Sequence, residues 1–507
     1  MEKRLLLAIG ISLVVLLSWS ALVSKTQVVD KKVVTSNYTE QKEPVQVKQE
    51  IVNPGLPVEE PKQALLQLSR KNTEIFFNEQ RAAINKVVFK MERDEPFPLK
   101  LGFLVDDGSL KYVKVNSNQN EITFVAQNGA KKVTKNFLFS NSNYALDLQI
   151  KIQNISSSPI VIDSPLILGI MDLSSKNEQL RYQDIYFSAP EKSFHKPAAK
   201  EYKSDKLKVM GLRDRYFCLI VEPESNSYSG FIKKLGNVES EVGLSTDALT
   251  LQPGAQIGHL FHIYLGPQDL KAINQVNPNW AGIINFGTFD FISQILLQAL
   301  EFLYRLFHNW GLAIIILSIL VYLLLYPLSL KQMRSMKEMQ AIQPKVEAIR
   351  KQYKDNPQKM NKEIMELYKL HKVNPFGGCL PLILQMPIFF ALYNALMRSV
   401  ALRGAKFLWI KDLSEPDRLF TLPVSLPVLG NELNILPIIM AIGMFFQQKI
   451  SSAASGGASA EQQKMMLIIM PVMFGFIFYR MPSGLVLYWL INSILMLLFQ
   501  LRMNRAK

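Results

Sequence analysis

Few residues in this sequence can do chemistry, and their spacing builds no reaction centre. The five histidines are His195, His259, His262, His308 and His371. His259 and His262 lie close together in an alternating strand pattern, but their odd spacing sends them to opposite faces, away from any shared metal ion. A glycine-rich phosphate loop, a His-Glu-x-x-His pair and a Gly-x-Ser-x-Gly elbow are all missing from the sequence. Nucleotide, zinc-peptidase and serine-hydrolase chemistry therefore have no foothold. The expectation is a non-enzyme with no cofactor, no metal and no small-molecule substrate. What remains is charge: Lys331 to Asn374 holds 11 Lys/Arg against 5 Asp/Glu. A basic run of that density suits anionic lipid or RNA.

Two kinds of element must position these residues. The 507 residues are 49% hydrophobic with a mean hydropathy of +0.10 and a net charge of +15. The apolar residues cluster in long uncharged runs, which marks a membrane protein. Glu2-Lys3-Arg4 precedes Leu5 to Val23, a run that reads as a retained anchor (1–24) rather than a cleaved leader. Five further spans are expected at Gly311–Leu330, Val373–Met397, Leu433–Gln448, Met465–Tyr479 and Met481–Leu501. Two are short for a hydrocarbon core of about 30 Å, which implies tilt or local thinning.

Between the first two spans the pattern changes. Residues 25–61 are Lys, Val, Glu, Gln and Pro with almost no aromatics, the composition of a disordered tether. Residues 62–280 alternate polar and apolar with period two, as in Tyr144-Ala-Leu-Asp-Leu-Gln-Ile-Lys-Ile-Gln. Strands are expected at Ala83–Phe89, Glu121–Ala126, Val133–Phe139, Tyr144–Ile155, Tyr216–Val221 and Ile257–Leu265, forming an all-β antiparallel sandwich. Residues 285–309 place Phe289, Ile292, Leu296, Leu300, Leu303 and Phe307 at helical spacing, the pattern of an interfacial amphipathic helix.

Charge sets orientation. The basic segment 331–374, the basic tail 502–507 and the N-terminus are expected in the cytoplasm, which puts the β domain in the periplasm and makes the chain a multi-pass inner-membrane protein. Cys218 and Cys379 then fall in different compartments, so no disulfide is expected between them. Within 331–374, Met333, Met336, Met339, Ile342, Val346, Ile349 and Tyr353 form one helical stripe, with Met360, Ile364, Leu367 and Tyr368 on a second. Asp355-Asn356-Pro357 separates them, giving a helical hairpin with a Met-rich seam. That seam either holds the hairpin together or offers a soft surface to hydrophobic clients. Its basic face, with Arg350, Lys351 and Lys354, suits acidic headgroups or ribosomal RNA.

The helical part (310–501) carries a specific set of motifs. They are Asn309-Trp-Gly-Leu-Ala-Ile-Ile-Ile-Leu, Tyr326-Pro327-Leu328, Asn374-Pro-Phe-Gly-Gly-Cys379-Leu-Pro381 and Gln385-Met-Pro387-Ile-Phe-Phe-Ala-Leu-Tyr393. Phe407-Leu-Trp409-Ile-Lys-Asp412-Leu and Met481-Pro482-Ser483-Gly484-Leu-Val-Leu-Tyr488-Trp489 follow in order. The sequence resembles the YidC/Oxa/Alb family of membrane protein insertases, in its Gram-negative form with a large periplasmic domain.

The resemblance implies five spans around a hydrophilic groove that opens to the cytoplasm and to lipid. Its polar candidates here are Ser318, Tyr322, Gln385, Gln447, Tyr488 and Asn492, each of which could instead be interhelical hydrogen-bonding glue. Met386, Pro387 and Phe478 align with the family's client slide, and Arg480 stands where an aromatic residue is common. Arg480 is either a compensating charge or an arginine snorkelling at a span end. One departure matters: the family's groove arginine is replaced here by Tyr322. Nascent membrane proteins, the Sec translocon, the ribosome and anionic lipids are the implied partners. A membrane-anchored scaffold and a transporter are the competing readings, the latter weakened by uncharged span interiors.

Overall fold

The computed structural model describes residues 65–505, except 92–93, 98, 106–109, 141–143, 175–181, 226, 355, 372, 374–379, 427–429 and 453–459. The expected anchor (1–24) and tether (25–61) lie outside the described residues, as does Cys379.

Among the described residues, four antiparallel sheets make the β domain, the smallest pairing 160–162 with 249–251. The largest has nine strands, ordered in space 193–197, 184–188, 209–213, 217–223, 256–267, 145–154, 131–139, 121–127 and 113–117. A five-stranded sheet contains 202–206, 229–235, 239–245, 166–172 and 104–105, and a four-stranded one runs from Leu66 to Phe97. All six expected strands are present, with ends shifted by one or two residues. Alternation does what it promised: in Ala145–Asn154, Leu146, Leu148, Ile150 and Ile152 are buried while the residues between them stay wetter. One apolar core draws on all four sheets and holds Phe77, Phe89, Phe124, Phe137, Phe187 and Phe217. Burying each such ring contributes about 2 kcal/mol.

One core residue is unexpected. Lys135 is fully buried and donates to the carbonyls of Ala82 and Phe103, with Tyr112 and Phe137 rings beside its ammonium. Ala82 and Phe103 both have positive φ, +45° and +63°, so the lysine pins carbonyls of two left-handed turns. Burial lowers its pKa to about 7. Cys218 is buried and free, its thiol pushed up by burial.

The β domain ends later than expected. After helix α1 (Leu270–Val276), capped by Asp269, a 3-10 turn at Pro278–Ile283 buries Trp280 and Ile283 in the same apolar cluster as Cys218 and Tyr264. Phe286 joins that cluster, so the domain closes beyond residue 280.

Helix α2 (Asp290–Phe307) is the expected amphipathic helix, with a correction. The foreseen stripe (Leu296, Leu300, Leu303) is buried against α3 (Trp310–Ala341) and α6 (Leu380–Arg398), not against lipid. A second row, Phe291, Ile295, Phe302 and Leu306, is the exposed one. His308, left-handed at φ +51°, ends the helix, and Tyr304 stacks on Trp310 at 4.1 Å to fix the corner into α3.

The hairpin boundary also moves. Helix α3 does not stop near residue 330 but runs unbroken to Ala341, through Pro327. The chain then kinks at Ile342 into α4 (Gln343–Gln352), where Pro344 in the first turn removes an N–H and blocks continuation. Helix α5 (Pro357–Leu370) returns, capped by Asn356. The seam is aliphatic more than Met-rich: Ile342, Val346, Ile364 and Met333 are buried, whereas Met339 is half-buried and Met365 exposed.

Helices α7 (Leu436–Ser452), α8 (Ala460–Phe478) and α9 (Ser483–Arg505) complete the bundle. The expected span at 433 starts three residues later because Phe420–Leu426 and Gly430–Leu433 form a β-hairpin first. The expected tail continues α9 as helix through Arg505. Helix α9 packs between α3 and α7, and α8 lies against α7. Among the described residues, two helices are long and apolar enough to cross a membrane, within 310–339 and 483–502, with shorter apolar helices at 436–450 and 467–478.

Candidate functional site

Among the described residues, the bonds to helix ends gather at one end of the bundle, the tied end; fewer are described at the other, open end. At the tied end, the segment 398–435 crosses the helix termini and satisfies their backbone groups. Ser483 donates its N–H (2.8 Å) and hydroxyl (2.8 Å) to the Glu415 carbonyl, and Gly484 N–H donates to the Leu413 carbonyl (2.9 Å). These bonds cap α9. Gly484 permits the approach, because a Cβ there would stand 3.1 Å from the Leu413 oxygen. Asp417 accepts from the N–H groups of Ile435 and Leu436, both at 2.9 Å, and caps α7. Asn434 donates to the Tyr479 carbonyl at the end of α8 (2.7 Å), and the Tyr479 hydroxyl donates to Glu432 O (2.8 Å).

One turn of the β domain reaches deep into this lattice. Asp214 accepts from the N–H groups of Tyr216 (2.8 Å) and Phe217 (2.7 Å), closing the connection between strands 209–213 and 217–223. Burial raises the Asp214 carboxyl to about 7 against the pull of those two donors. The turn projects Arg215, a buried guanidinium between the Tyr182 and Tyr216 rings. Arg215 donates to Met397 O in the last turn of α6 (2.8 Å), to Ser414 O (2.9 Å) and to the Glu415 carboxylate (2.8 Å). Arg403 pairs with Glu95, and Lys271 with Glu301 of α2. Arg213 donates to the Ile283 and Asn285 carbonyls and pairs with Asp184, which Arg213 and His195 hold down at about 2 despite its burial.

Below this end sits an aromatic layer. Phe389 of α6, Phe478 of α8 and Trp489 of α9 meet at 5.2–5.6 Å. Phe478, expected on a client slide, is only 1% exposed within this layer. Arg480 lies at the tied end beside Gly430, so it stands apart from the polar groups inside the bundle. Met386 is exposed and Pro387 half-buried on α6.

Deeper in the bundle three of the six polar candidates come together. Gln385 of α6 donates to the hydroxyl of Tyr488 on α9, and Asn492 donates to the Tyr488 carbonyl at 2.9 Å. Tyr488 is fully buried. Ser318 is also buried, its hydroxyl returned to the Ile314 carbonyl at 2.7 Å, which makes it helix-internal. Tyr322, one turn along the same face of α3, has a buried hydroxyl with no hydrogen-bond partner among the described residues. Gln447 is half-buried on α7, which packs on α9. Toward the open end lie α4 and α5, tied by Lys345 to His371 at 2.9 Å. Arg350 is half-buried there, with Lys351 and Lys354 exposed. The side chain of Met336 lies outside the described residues.

Fold and site together define a helical membrane protein that carries an antiparallel β domain on the tied end of its bundle and polar groups within an apolar interior. Two family models match: "60Kd inner membrane protein" over residues 302–507 and "YidC periplasmic domain" over 86–299. A relative named membrane protein insertase YidC from Pelobacter propionicus is 32% identical over 100% of this chain and 99% of its own length. A second of that name, from Syntrophobacter fumaroxidans, is 36% identical over 74% of this chain and 69% of its own. A crystal structure described as an active YidC insertase with its first transmembrane domain resolved is 20% identical, with a TM-score of 0.42 over 87% of this chain and 92% of that one. The chain belongs to the YidC family of membrane protein insertases.

Sequence reasoning missed Arg215, which reaches Met397 across 182 positions and carried no local signal. Ser483 did lie in a quoted motif; its helix-capping role required the fold.

Proposed function

We propose that this chain inserts other membrane proteins into the bacterial inner membrane without covalent chemistry. The observation that carries the reading is the presence of polar groups inside an apolar bundle: the Tyr322 hydroxyl on α3, without a partner among the described residues, and the Gln385–Tyr488–Asn492 set on α6 and α9. Moving an unsatisfied polar group through hydrocarbon costs about 2–7 kcal/mol. Side-chain donors and water partway into the bilayer reduce that cost for a client's polar segment. The apolar segment then leaves for lipid, driven at about 25 cal/mol per Å² of surface removed from water.

The chain has six spans in this reading, with 1–24 as anchor and 25–61 as tether. Both termini and the 331–374 region face the cytoplasm, and the β domain faces the periplasm. The groove runs from α4 and α5 to the aromatic layer, and Met386 and Pro387 border the lipid exit. The basic residues of the hairpin meet anionic lipid and the ribosome, and the chain works alone or beside the Sec translocon. Tyr322 is neutral, so attraction between a fixed positive charge and acidic client segments is not required.

The test is insertion of a single-span client with an acidic translocated tail into liposomes holding only this protein. The wild type and Tyr322→Arg should both insert it. Failure of the wild type with gain in Tyr322→Arg would restrict the protein to other clients. Failure of both would remove the insertase reading. A variant lacking residues 62–280 should keep insertion; its loss would favour the anchored scaffold, in which the β domain docked through Arg215 is the working part.

A further inference from the structure

The motif Phe407-Leu-Trp409-Ile is not used by the groove, and its geometry is unusual. Phe407 and Ile410 exchange two backbone hydrogen bonds (3.0 and 2.9 Å), closing a four-residue turn with Leu408 and Trp409 at its tip. Leu408 has φ +52°, the left-handed region that a leucine rarely adopts. Its side chain is 75% exposed. The fold therefore holds a leucine in a glycine's conformation and points it outward.

The surroundings say outward into what. The Phe407 ring sits on Gly311, where a Cβ would come within 2.0 Å of it, so the turn is seated on the first turn of α3. The exposed side of α3 continues from there as Leu312, Ile319, Leu320, Leu323 and Leu324. Trp409 bonds Asp417 through its indole N–H, and the stacked Tyr304–Trp310 pair lies at the same corner, the ring types that populate membrane boundaries. Exposed Lys406 and Lys411 flank the tip on either side, placed as cations that reach for phosphate while their stems lie on apolar matter.

We propose that the turn Phe407–Ile410 is a lipid anchor, with Leu408 in the headgroup–acyl boundary at the tied end of the bundle and Lys406 and Lys411 on lipid phosphates. This rests on the reading that α3 crosses the membrane. The strained backbone is the means of aiming an apolar side chain sideways from a short turn, continuous with the lipid-facing row of α3.

The experiment attaches an environment-sensitive fluorophore to Leu408→Cys in a Cys379→Ser background, Cys218 being buried. The protein is reconstituted in phosphatidylglycerol/phosphatidylethanolamine vesicles, and a Leu320→Cys twin reports on α3. At position 408 the emission should shift to the blue and be quenched more by nitroxide near the headgroup end of the acyl chain than by nitroxide at its far end. Exchanging phosphatidylglycerol for phosphatidylcholine, or making Lys406→Gln with Lys411→Gln, should weaken that quenching. Water-like emission at 408 with a quenched 320 overturns the anchor. An unquenched 320 overturns the spanning reading of α3, and the anchor with it. A blue shift that vanishes on dilution with unlabelled protein assigns the tip to a second copy and also overturns the proposal. Leu408→Gly should unfold in detergent at the same or a higher temperature; a lower one would place the side chain in the service of the fold instead.

Discussion

At the β-domain end of the bundle, the last turns of α6 and α8 and the first turns of α7 and α9 all spend their free backbone groups on side chains or loop carbonyls. At the opposite end, two short helices follow a proline kink and hold together through a small aliphatic seam. Lipid is as apolar as leucine, so helices in it gain little from hiding apolar surface from one another. Polar bonds and close packing decide which contacts persist, and among the described residues they are concentrated at one end. A bundle built this way can part at the weak end and keep its register at the strong one. That is the mechanical property an insertion groove needs.

Arg215→Ala should strike the strong end hardest. It takes the donor from two carbonyls and leaves Glu415 with Arg418 alone, at a cost of about 3 kcal/mol. Hydrogen exchange at residues 412–415 should rise while exchange in α4 and α5 stays unchanged. Asp417→Ala removes the acceptor for Ile435 and Leu436 N–H, costing about 1–2 kcal/mol, read as faster exchange at the start of α7. Val346→Ala tests the weak end, with a loss of about 1 kcal/mol confined to the hairpin. Its protease sensitivity should climb with no change at Ser483; a change there would mean the ends are coupled. Tyr322→Phe should have the smallest effect on stability, within about 0.5 kcal/mol, because the hydroxyl has no partner to lose. Its melting temperature should hold while client insertion slows; unchanged insertion would remove Tyr322 from the groove.

Strands were legible where one face is wet and the other dry, as in Glu121–Gln127 and Ala145–Asn154, because period-two burial writes itself into local sequence. Spans were legible from uncharged length, though their ends were not. Helix α3 passes through Pro327 without stopping, yet its run ends just before Pro344, a difference that local sequence does not mark. On α2 the periodic stripe was visible, but not its direction, since both apolar rows of that helix are occupied. The site divides in the same way. Gln385, Tyr488 and Asn492 stood out as polar residues in apolar runs, whereas Phe478 was indistinguishable from a lipid-facing phenylalanine until its aromatic neighbours were known. Arg215 and Lys135 were hidden among 57 lysines and arginines; only their long-range carbonyl partners set them apart.

The central claim is that clients enter at the weak end and meet Tyr322 before anything at the strong end. A photo-crosslinking residue placed in turn at Tyr322, Met386 and Arg480 tests it, using a ribosome-bound client arrested partway through insertion. Early adducts at Tyr322 and Met386, with none at Arg480 until the client is released, are the predicted result. Early adducts at Arg480 with none at Tyr322 would contradict it.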